Sequence, residues 1–453
     1  MASIVVSGYK QAKDTLRISD LRQALYDEGA VLMEKVLVNL HGDEHRARRN
    51  VEIKVFRRDF FQWYETHVFP ATLQETLQPH LASGKADLVD FGFRVMMNLT
   101  TDFSGIDRPL RSAEETGCLL RILRTFGKAA TLGQALGDRE AIRAEIREAL
   151  DEFDNDFFRP SLQRRRALLD QLANGSIEEK DLPRDVLVEL LRNEAGNLLA
   201  PDVLMKEIGF FLLAGAFTSI HTLTHAMHEI FSWQQSHPQD AQRYVDDSLF
   251  LQKAIHESMR LHPSSPTAGR RPVCPVHLPG GEPATPQDLI SVDLMSANRD
   301  TSVFGDDAAE YNPHRAAPRG ESPYGLSFGM GMHACIGLNL AAGVLPRADT
   351  IAQDHHLGTV TLIARALLQH GARPDPGHPG VVDRSTIRNN WSSYPMLVNA
   401  RELAVTAITL SAYDAATQAL KDQRLAQSMY DEGAVIMADV VLVIAEEIAP
   451  EYA

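Results

Sequence analysis

Phe328-Gly329-Met330-Gly331-Met332-His333-Ala334-Cys335-Ile336-Gly337, followed by Leu338-Asn339-Leu340-Ala341-Ala342, is the stretch on which the reading of this chain turns. Three glycines within nine residues permit backbone shapes closed to other residues and let a flat ligand come close. Cys335 stands where a helical run begins. A helix N-terminus presents free N–H groups and positive potential, both of which stabilise a thiolate. A thiolate held there, with N–H donors toward its sulfur, suits an axial ligand of haem iron. A lone cysteine is more often an inert buried thiol, so the whole string carries this reading, not the cysteine by itself.

The rest of the chain sets the frame. Its 453 residues carry 45 Lys and Arg against 60 Asp and Glu, a net charge of −15, and 44 % of them are hydrophobic. That length allows three domains or one large α-rich one. The acidic balance argues against a nucleic-acid partner, which requires a basic footprint, and the composition is too apolar for disorder. No run of about 18 uncharged apolar residues occurs, so no membrane span is expected. The start, Met-Ala-Ser-Ile-Val-Val, lacks the basic and apolar regions of a secretion signal. Cys118, Cys274 and Cys335 are too few and too scattered for a disulfide framework or a zinc cluster, and a reducing, cytoplasmic setting is expected.

Long patterned apolar runs over 57–80, 87–103, 112–150 and 201–236 predict helices, while Pro and Gly gather at 263–289, 305–337 and 371–380. The expected class is mainly α with small β-sheets (α+β). Residues 7–36 recur at 411–440, with 14 of 30 positions identical, including Tyr26-Asp27-Glu28-Gly29-Ala30-Val31 against Tyr430-Asp431-Glu432-Gly433-Ala434-Val435. Two copies so far apart are not a solenoid. The second copy is either the start of a second tandem unit or an appendage packing on the main domain. The expected division is 1–402 and 403–453.

The cysteine string resembles the haem-binding signature of the cytochrome P450 superfamily, FGxGxHxCxG, with every fixed position present, including Phe328, His333, Cys335 and Gly337. The resemblance implies haem b, with Cys335 as the proximal thiolate and iron ligand. Glu257-Ser258-Met259-Arg260, 78 residues before the cysteine, matches the family's ExxR. Its i,i+3 spacing places Glu257 and Arg260 on one helix face, ready for bidentate pairing. In the family this pair locks into a meander that here reads Tyr311-Asn312-Pro313-His314-Arg315 and Pro318-Arg319, and Ala297-Asn298-Arg299-Asp300 resembles the segment before it. His45-Arg46-Ala47-Arg48-Arg49 matches HxxxR, so His45 and Arg49 are candidate haem-propionate donors, against the alternative of an ordinary basic helix start. Arg270 takes another propionate-binding place, with Arg271 as the fallback. The basic cluster Arg46, Arg48, Arg49, Lys54, Arg57 and Arg58 either steers an acidic electron donor or is a solvated face.

Residues 205–231 resemble the family's oxygen-activating helix, with Ala214-Gly215-Ala216-Phe217-Thr218-Ser219 at its signature. Ala214 and Gly215 are expected to leave room for dioxygen beside the backbone, with a small-residue kink there. Thr218 is the expected proton-donating alcohol. The family's acid is absent, and Phe217 in its place cannot relay a proton. Ser219, His221 or ordered water then carries the proton, or a polar group of the substrate supplies it, or the enzyme uses peroxide or rearranges its substrate. His221 has the alternative of a hydrogen-bonded core histidine. Phe217, Thr267 and Ala268 are expected to line an apolar substrate pocket.

Two further departures stand out. Only 44 residues precede His45, and Ile4-Val5-Val6 with Tyr9–Leu16 look like the end of the family's small sheet and the next helix. After Cys335, Leu345-Pro346-Arg347 breaks a helix that the family runs through, and His355 and His356 fall in what reads as an exposed loop. The resemblance implies a monooxygenase that oxidises a small apolar organic substrate with O2. Its electrons would come from a ferredoxin- or flavodoxin-type donor with an NAD(P)H reductase. The alternatives are a peroxide-dependent or isomerising relative, and a non-catalytic haem-thiolate scaffold for a carrier or partner protein.

Overall fold

In the computed structural model, which describes residues 3–193, 199–347 and 349–398, regular structure begins with a half-buried strand. Ile4 and Val6 are buried and Ser3 and Val5 exposed, the period of two that defines β1 (Ser3–Val6). After α1 (Tyr9–Thr15) and β2 (Leu21–Gln23) the chain turns helical: α2 (Ala30–Met33), α3 (Gly42–Glu52), α4 (Arg58–His67) and α5 (Phe69–Ser83). Strand β3 (Lys85–Asp87) leads into α6 (Leu88–Ser104), followed by α7 (Ala113–Thr131), α8 (Arg139–Phe153), α9 (Arg159–Ala173) and α10 (Val186–Arg192). The boundaries have local causes. The Asp87 carboxylate accepts from the backbone N–H of Val89 and Asp90 at the start of α6, and Gly105, at φ 93°, ends it. Ser112 and Asp138 cap α7 and α8 in the same way. The run expected as one helix over 112–150 is therefore two, and that over 57–80 divides at Val68.

The second half contains α11 (Pro201–Ser236), α12 (Ala241–Asp246), α13 (Ser248–Leu261) and β4 (Thr267–Pro272). The hairpin β5 (Val276–His277) and β6 (Pro283–Ala284) precedes β7 (Leu289–Asp293) and two single turns, α14 (Leu294–Ala297) and α15 (Thr301–Phe304). A turn-rich stretch reaches α16 (Leu338–Ala342), and α17 (Thr359–Gln369) follows. The described chain closes with β8 (Arg373–Pro374), β9 (Val381–Val382), β10 (Trp391–Ser393) and β11 (Pro395–Leu397). A four-stranded sheet in the order β1-β7-β4-β2 pairs β1 parallel to β7 and β4 antiparallel to both its neighbours. A second sheet runs β3-β11-β8. The mainly α class with small sheets is as expected. The 402/403 division and the 411–440 repeat lie outside the described residues.

Helix α11 crosses the centre, packed on α6, α7 and α13. It is long and apolar enough to span a membrane, contrary to the count of unbroken apolar runs, but 61 % of its most apolar window is buried within the fold. A helix that is apolar nearly all round is what a protein core requires.

The break after Cys335 is an excursion. Gly343 and Gly358 touch: a Cβ on Gly358 would lie 2.3 Å from the Gly343 nitrogen. Residues 344–357 thus leave and return at one point between α16 and α17. The base is clamped by buried side chains. The Gln252 amide donates to the carbonyls of Ala342 and Leu357 at 3.1 and 3.0 Å. The Glu65 carboxylate accepts from Gly358 N–H at 2.7 Å and pairs with His356 at 3.0 Å. His356 is therefore buried, not in an exposed loop, and His355 faces the Gln252 amide oxygen at 3.0 Å. Replacing residues 345–354 by two glycines keeps every one of these anchors. We expect haem retention unchanged and the thermal midpoint within a few degrees of wild type, because shortening a closed loop recovers about 0.6 kcal/mol per halving. A drop beyond about 10 °C would show that the excursion is part of the core.

Candidate active site

The 328–337 loop is folded by its glycines. Gly329 and Gly331 adopt φ of 65° and 67°, open to glycine and strained for other residues. A Cβ on Gly331 would lie 2.7 Å from the carbonyl oxygen of Leu16. Cys335 N–H donates to the Phe328 carbonyl at 2.8 Å, closing the loop. The helical run expected after the cysteine is the short α16, which begins three residues on. Burial pushes the Cys335 thiol up, while the Gly337 N–H aimed at the sulfur and the Arg49 guanidinium pull it back. The residue nevertheless keeps accessible surface.

A ring of cation-capable groups lies beside this loop. Arg49 donates from Nη2 to the Ala334 carbonyl at 2.8 Å. His45, on the same face of α3, meets His333 edge to face at 4.8 Å. Arg270 is buried and uses Nη1 alone, on Gln23 Oε1 at 2.9 Å and Gly269 O at 3.0 Å. These groups hold each other down. Burial, then Arg49 and His41, lowers His45 to about 4. Burial, then Arg270 and His45, lowers His333 to about 3, and burial lowers Arg270 to about 10. Both ring nitrogens of His333 are buried without a partner. Among the described residues no carboxylate is ion-paired with Arg49 or Arg270. Clustered donors lacking a protein anion are what two haem propionates require, so this donor set fits haem. Arg271 instead bonds the carbonyl of Gln287 at 3.1 Å, away from the ring.

The Glu257–Arg260 pair forms as its spacing predicts. Arg260 Nε and Nη2 meet the two Glu257 oxygens at 2.8 and 2.7 Å. Arg315 Nε adds a bond to Glu257 at 2.9 Å. Arg260 Nη1 then reaches the carbonyls of Asn298 and Ala308, both at 2.6 Å. Asn298 links this cluster to the cysteine loop: its Nδ2 donates to Arg260 O and Ser327 Oγ, and its Oδ1 accepts from Leu326 N–H at 2.8 Å. That linking role was not legible in the sequence, because the partners are 28 to 38 residues away.

The opposite wall departs from expectation. Helix α11 runs uninterrupted through Ala214–Thr218, with no break at the expected kink. A Cβ on Gly215 would lie 2.7 Å from Thr100 Cγ2, so its bare Cα lets α6 pack close. Half-buried Ala214 gives its carbonyl to the Thr218 hydroxyl at 2.7 Å. The Phe217 ring lies against Gly127 of α7, where a Cβ would come within 2.7 Å of it, and meets His221 edge to face at 4.5 Å. Its ring is thus committed to the α7 contact. His221 is buried with both ring nitrogens unpartnered, and burial, then Arg388, lowers it to about 3. It is a neutral imidazole, not the hydrogen-bonded core histidine that was the alternative. Ser219 is buried, about 100° around the helix from Thr218. Thr267 is half-buried, 3.5 Å from the Gln134 amide. Ala268 is packed into the sheet core with Ile290 and Val292.

The basic cluster is also smaller than expected. Arg48 turns inward and pairs with Glu207 of α11, which also accepts Leu37 N–H at 2.9 Å. Glu52, one turn on, is buried beside Glu207, and burial and that neighbour push its carboxyl well up. With Arg49 on Ala334, the outward cations are Arg46, Lys54, Arg57 and Arg58, and the first three already face carboxylates.

Known proteins agree with this geometry. The family profile for Cytochrome P450 matches residues 135–343. The chain is 27 % identical over 223 residues to the bifunctional cytochrome P450/NADPH–P450 reductase 1 of Bacillus subtilis, covering 44 % of this chain and 20 % of that protein. It is 24 % identical over 365 residues to pulcherriminic acid synthase of the same species, covering 78 % and 82 %. The crystal structure of P450BioI in complex with a fatty-acyl-ligated acyl carrier protein superposes with a TM-score of 0.67 at 15 % identity, over 87 % of this chain and 92 % of that one. The family match over residues 135–343, these relatives and the fold together support the cytochrome P450 superfamily, a family of oxygenase enzymes.

Proposed function

We propose that this chain is a haem-thiolate monooxygenase acting on a small apolar organic molecule. The observation that carries the reading is the ring of His45, Arg49, Arg270 and His333, without a carboxylate ion pair among the described residues, beside the loop of a cysteine whose sulfur receives a backbone N–H. Cys335 would hold haem b as its thiolate, and the ring would take the propionates. When bound, haem supplies the activation of O2 and the transfer of one oxygen atom.

The chain's own residues would do the rest. Thr218 donates its hydroxyl proton to Ala214 O, which leaves its oxygen free to accept another and pass the first on. His221 is neutral at physiological pH because burial disfavours its charged form, and its two unpartnered nitrogens allow it to accept on one side and donate on the other. Phe217, fixed against α7, would exclude water from the site. Arg46, Lys54, Arg57 and Arg58 are the remaining outward charges on the Arg49 side, and a ferredoxin- or flavodoxin-type donor with an NAD(P)H reductase would dock there. A cytoplasmic location is consistent with the three free thiols. The second reading, a peroxide-dependent or isomerising enzyme, is favoured by Phe217, which holds the place of an acid.

Product formation under ferredoxin, reductase and NADPH, set against peroxide alone, tests the reading. We expect turnover that depends on NADPH and oxygen. Equal turnover with peroxide and none with NADPH would replace it with the second reading.

A further inference from the structure

A cleft of about 780 Å³ opens between α4–α5 on one side and the end of α6, α9 and residues 180–185 on the other. Its lining includes nothing from α11 or from the 328–337 loop, so it is separate from the candidate active site. The volume falls in the range of small-molecule sites. Six basic and four acidic residues line it, in a chain whose net charge is −15.

Two of those cations carry no ion pair among the described residues. Arg165 pairs with Asp107 and Asp185, and Arg164 with Asp107. Arg108 and Arg111 have no carboxylate within 4 Å among the described residues. Arg108 has the Asn98 amide oxygen as its hydrogen-bond acceptor. Its pKa is lowered by burial and by the neighbouring Arg111, against the opposing pull of Glu115, Asp102 and Glu75. Asp102 shares the floor, but its hydrogen bond is with the Tyr64 hydroxyl at 3.2 Å.

Arg111 is held there against its backbone preference. Its φ is 46°, the left-handed region that favours glycine, and apart from Lys35 it is the only described non-glycine residue with positive φ. The Glu115 carboxylate fixes the turn by accepting Arg111 N–H at 2.6 Å. Backbone strain of this kind persists where the surroundings enforce it, and it is enriched at ligand sites. The facing wall is flat and aromatic. Trp63, half exposed at the mouth, stacks between Phe60 at 6.0 Å and His67 at 5.6 Å, and Arg184 sits 4.6 Å over the buried Phe60 ring.

We infer that this cleft binds a small organic anion with a planar apolar body, of the aryl carboxylate or sulfonate class. The anionic head is taken by Arg108 and Arg111, and the ring system lies against the exposed part of Trp63 at the mouth. The pairing follows from two principles: guanidiniums recognise planar oxyanions through forked N–H groups, and aromatic faces stack on flat apolar bodies.

The test uses the full-length, haem-loaded protein with naphthalene-2-sulfonate as probe, followed by calorimetry and by quenching of tryptophan fluorescence. We expect one saturable site and no change in the haem spectrum. Arg111→Gly relieves the positive φ while removing the guanidinium, so it is expected to fold at least as well and to bind at least tenfold more weakly. Arg108→Gln/Arg111→Gly should abolish binding, and Trp63→Phe should abolish the quench while calorimetric binding persists. Neutral 2-naphthalenemethanol and inorganic phosphate should each bind at least tenfold more weakly. Undiminished binding in Arg111→Gly, phosphate as good as the sulfonate, a haem spectral change on binding, or no saturable site would each overturn the inference.

Discussion

Cys335→Ser is expected to cost turnover at least about a thousandfold, equivalent to about 4 kcal/mol of barrier, and to abolish the red-shifted Soret band of the reduced, carbon-monoxide-treated protein. The physical reason is the donor atom. A thiolate pushes electron density toward bound oxygen and favours O–O cleavage, whereas a serine hydroxyl stays protonated and is a poor donor. The loop itself should survive, because its closure depends on the backbone bond from Cys335 N–H to Phe328 O and on Gly329 and Gly331, none of which the substitution touches. Haem content is therefore expected to fall less than activity, since His45, Arg49, Arg270 and His333 remain. A serine variant with the wild-type Soret band would sink the assignment of Cys335.

Arg260→Ala is expected to prevent accumulation of folded, haem-loaded protein. Arg260 is fully buried, with two bonds to Glu257 and two to backbone carbonyls. Removing one partner of a buried ion pair costs about 3–5 kcal/mol, a large share of the 5–15 kcal/mol that typically holds a domain together. The damage should also reach the cysteine loop, because Asn298 ties Arg260 to Leu326 and Ser327, just ahead of Phe328. Arg260→Lys should fare little better: an ammonium cannot span both Glu257 oxygens and the two carbonyls. Haem per folded protein and the thermal midpoint measure the effect. Wild-type values for Arg260→Ala would show that the pair is incidental.

Pairs close in sequence were readable from spacing. Glu257 and Arg260 lie one helical turn apart, and any helix there brings them together. The Gly329 and Gly331 turns follow from a residue type with few other uses. The sequence did not show which distant neighbour each side chain meets. Gly215 meets Thr100, Phe217 meets Gly127, and Ala268 joins the sheet core, all through neighbours 115 or 90 residues distant or on another strand. Arg48 was read as surface charge because its counter-ion, Glu207, is 159 residues away. The clamp on His356 and the nearness of Arg108 to Arg111 were equally hidden.

The sequence alone thus determined the mainly helical class, the cysteine loop and the ion pair that backs it. Each is set by local backbone geometry or by one helical turn. The tertiary structure decided which arginines face inward, which way the α11 side chains point, that residues 344–357 close on themselves, and that a cationic, aromatic cleft exists. Those outcomes depend on which buried charge finds a partner and which glycine admits a neighbour, and a buried group is satisfied by whatever the fold brings within hydrogen-bond reach, irrespective of its distance along the chain.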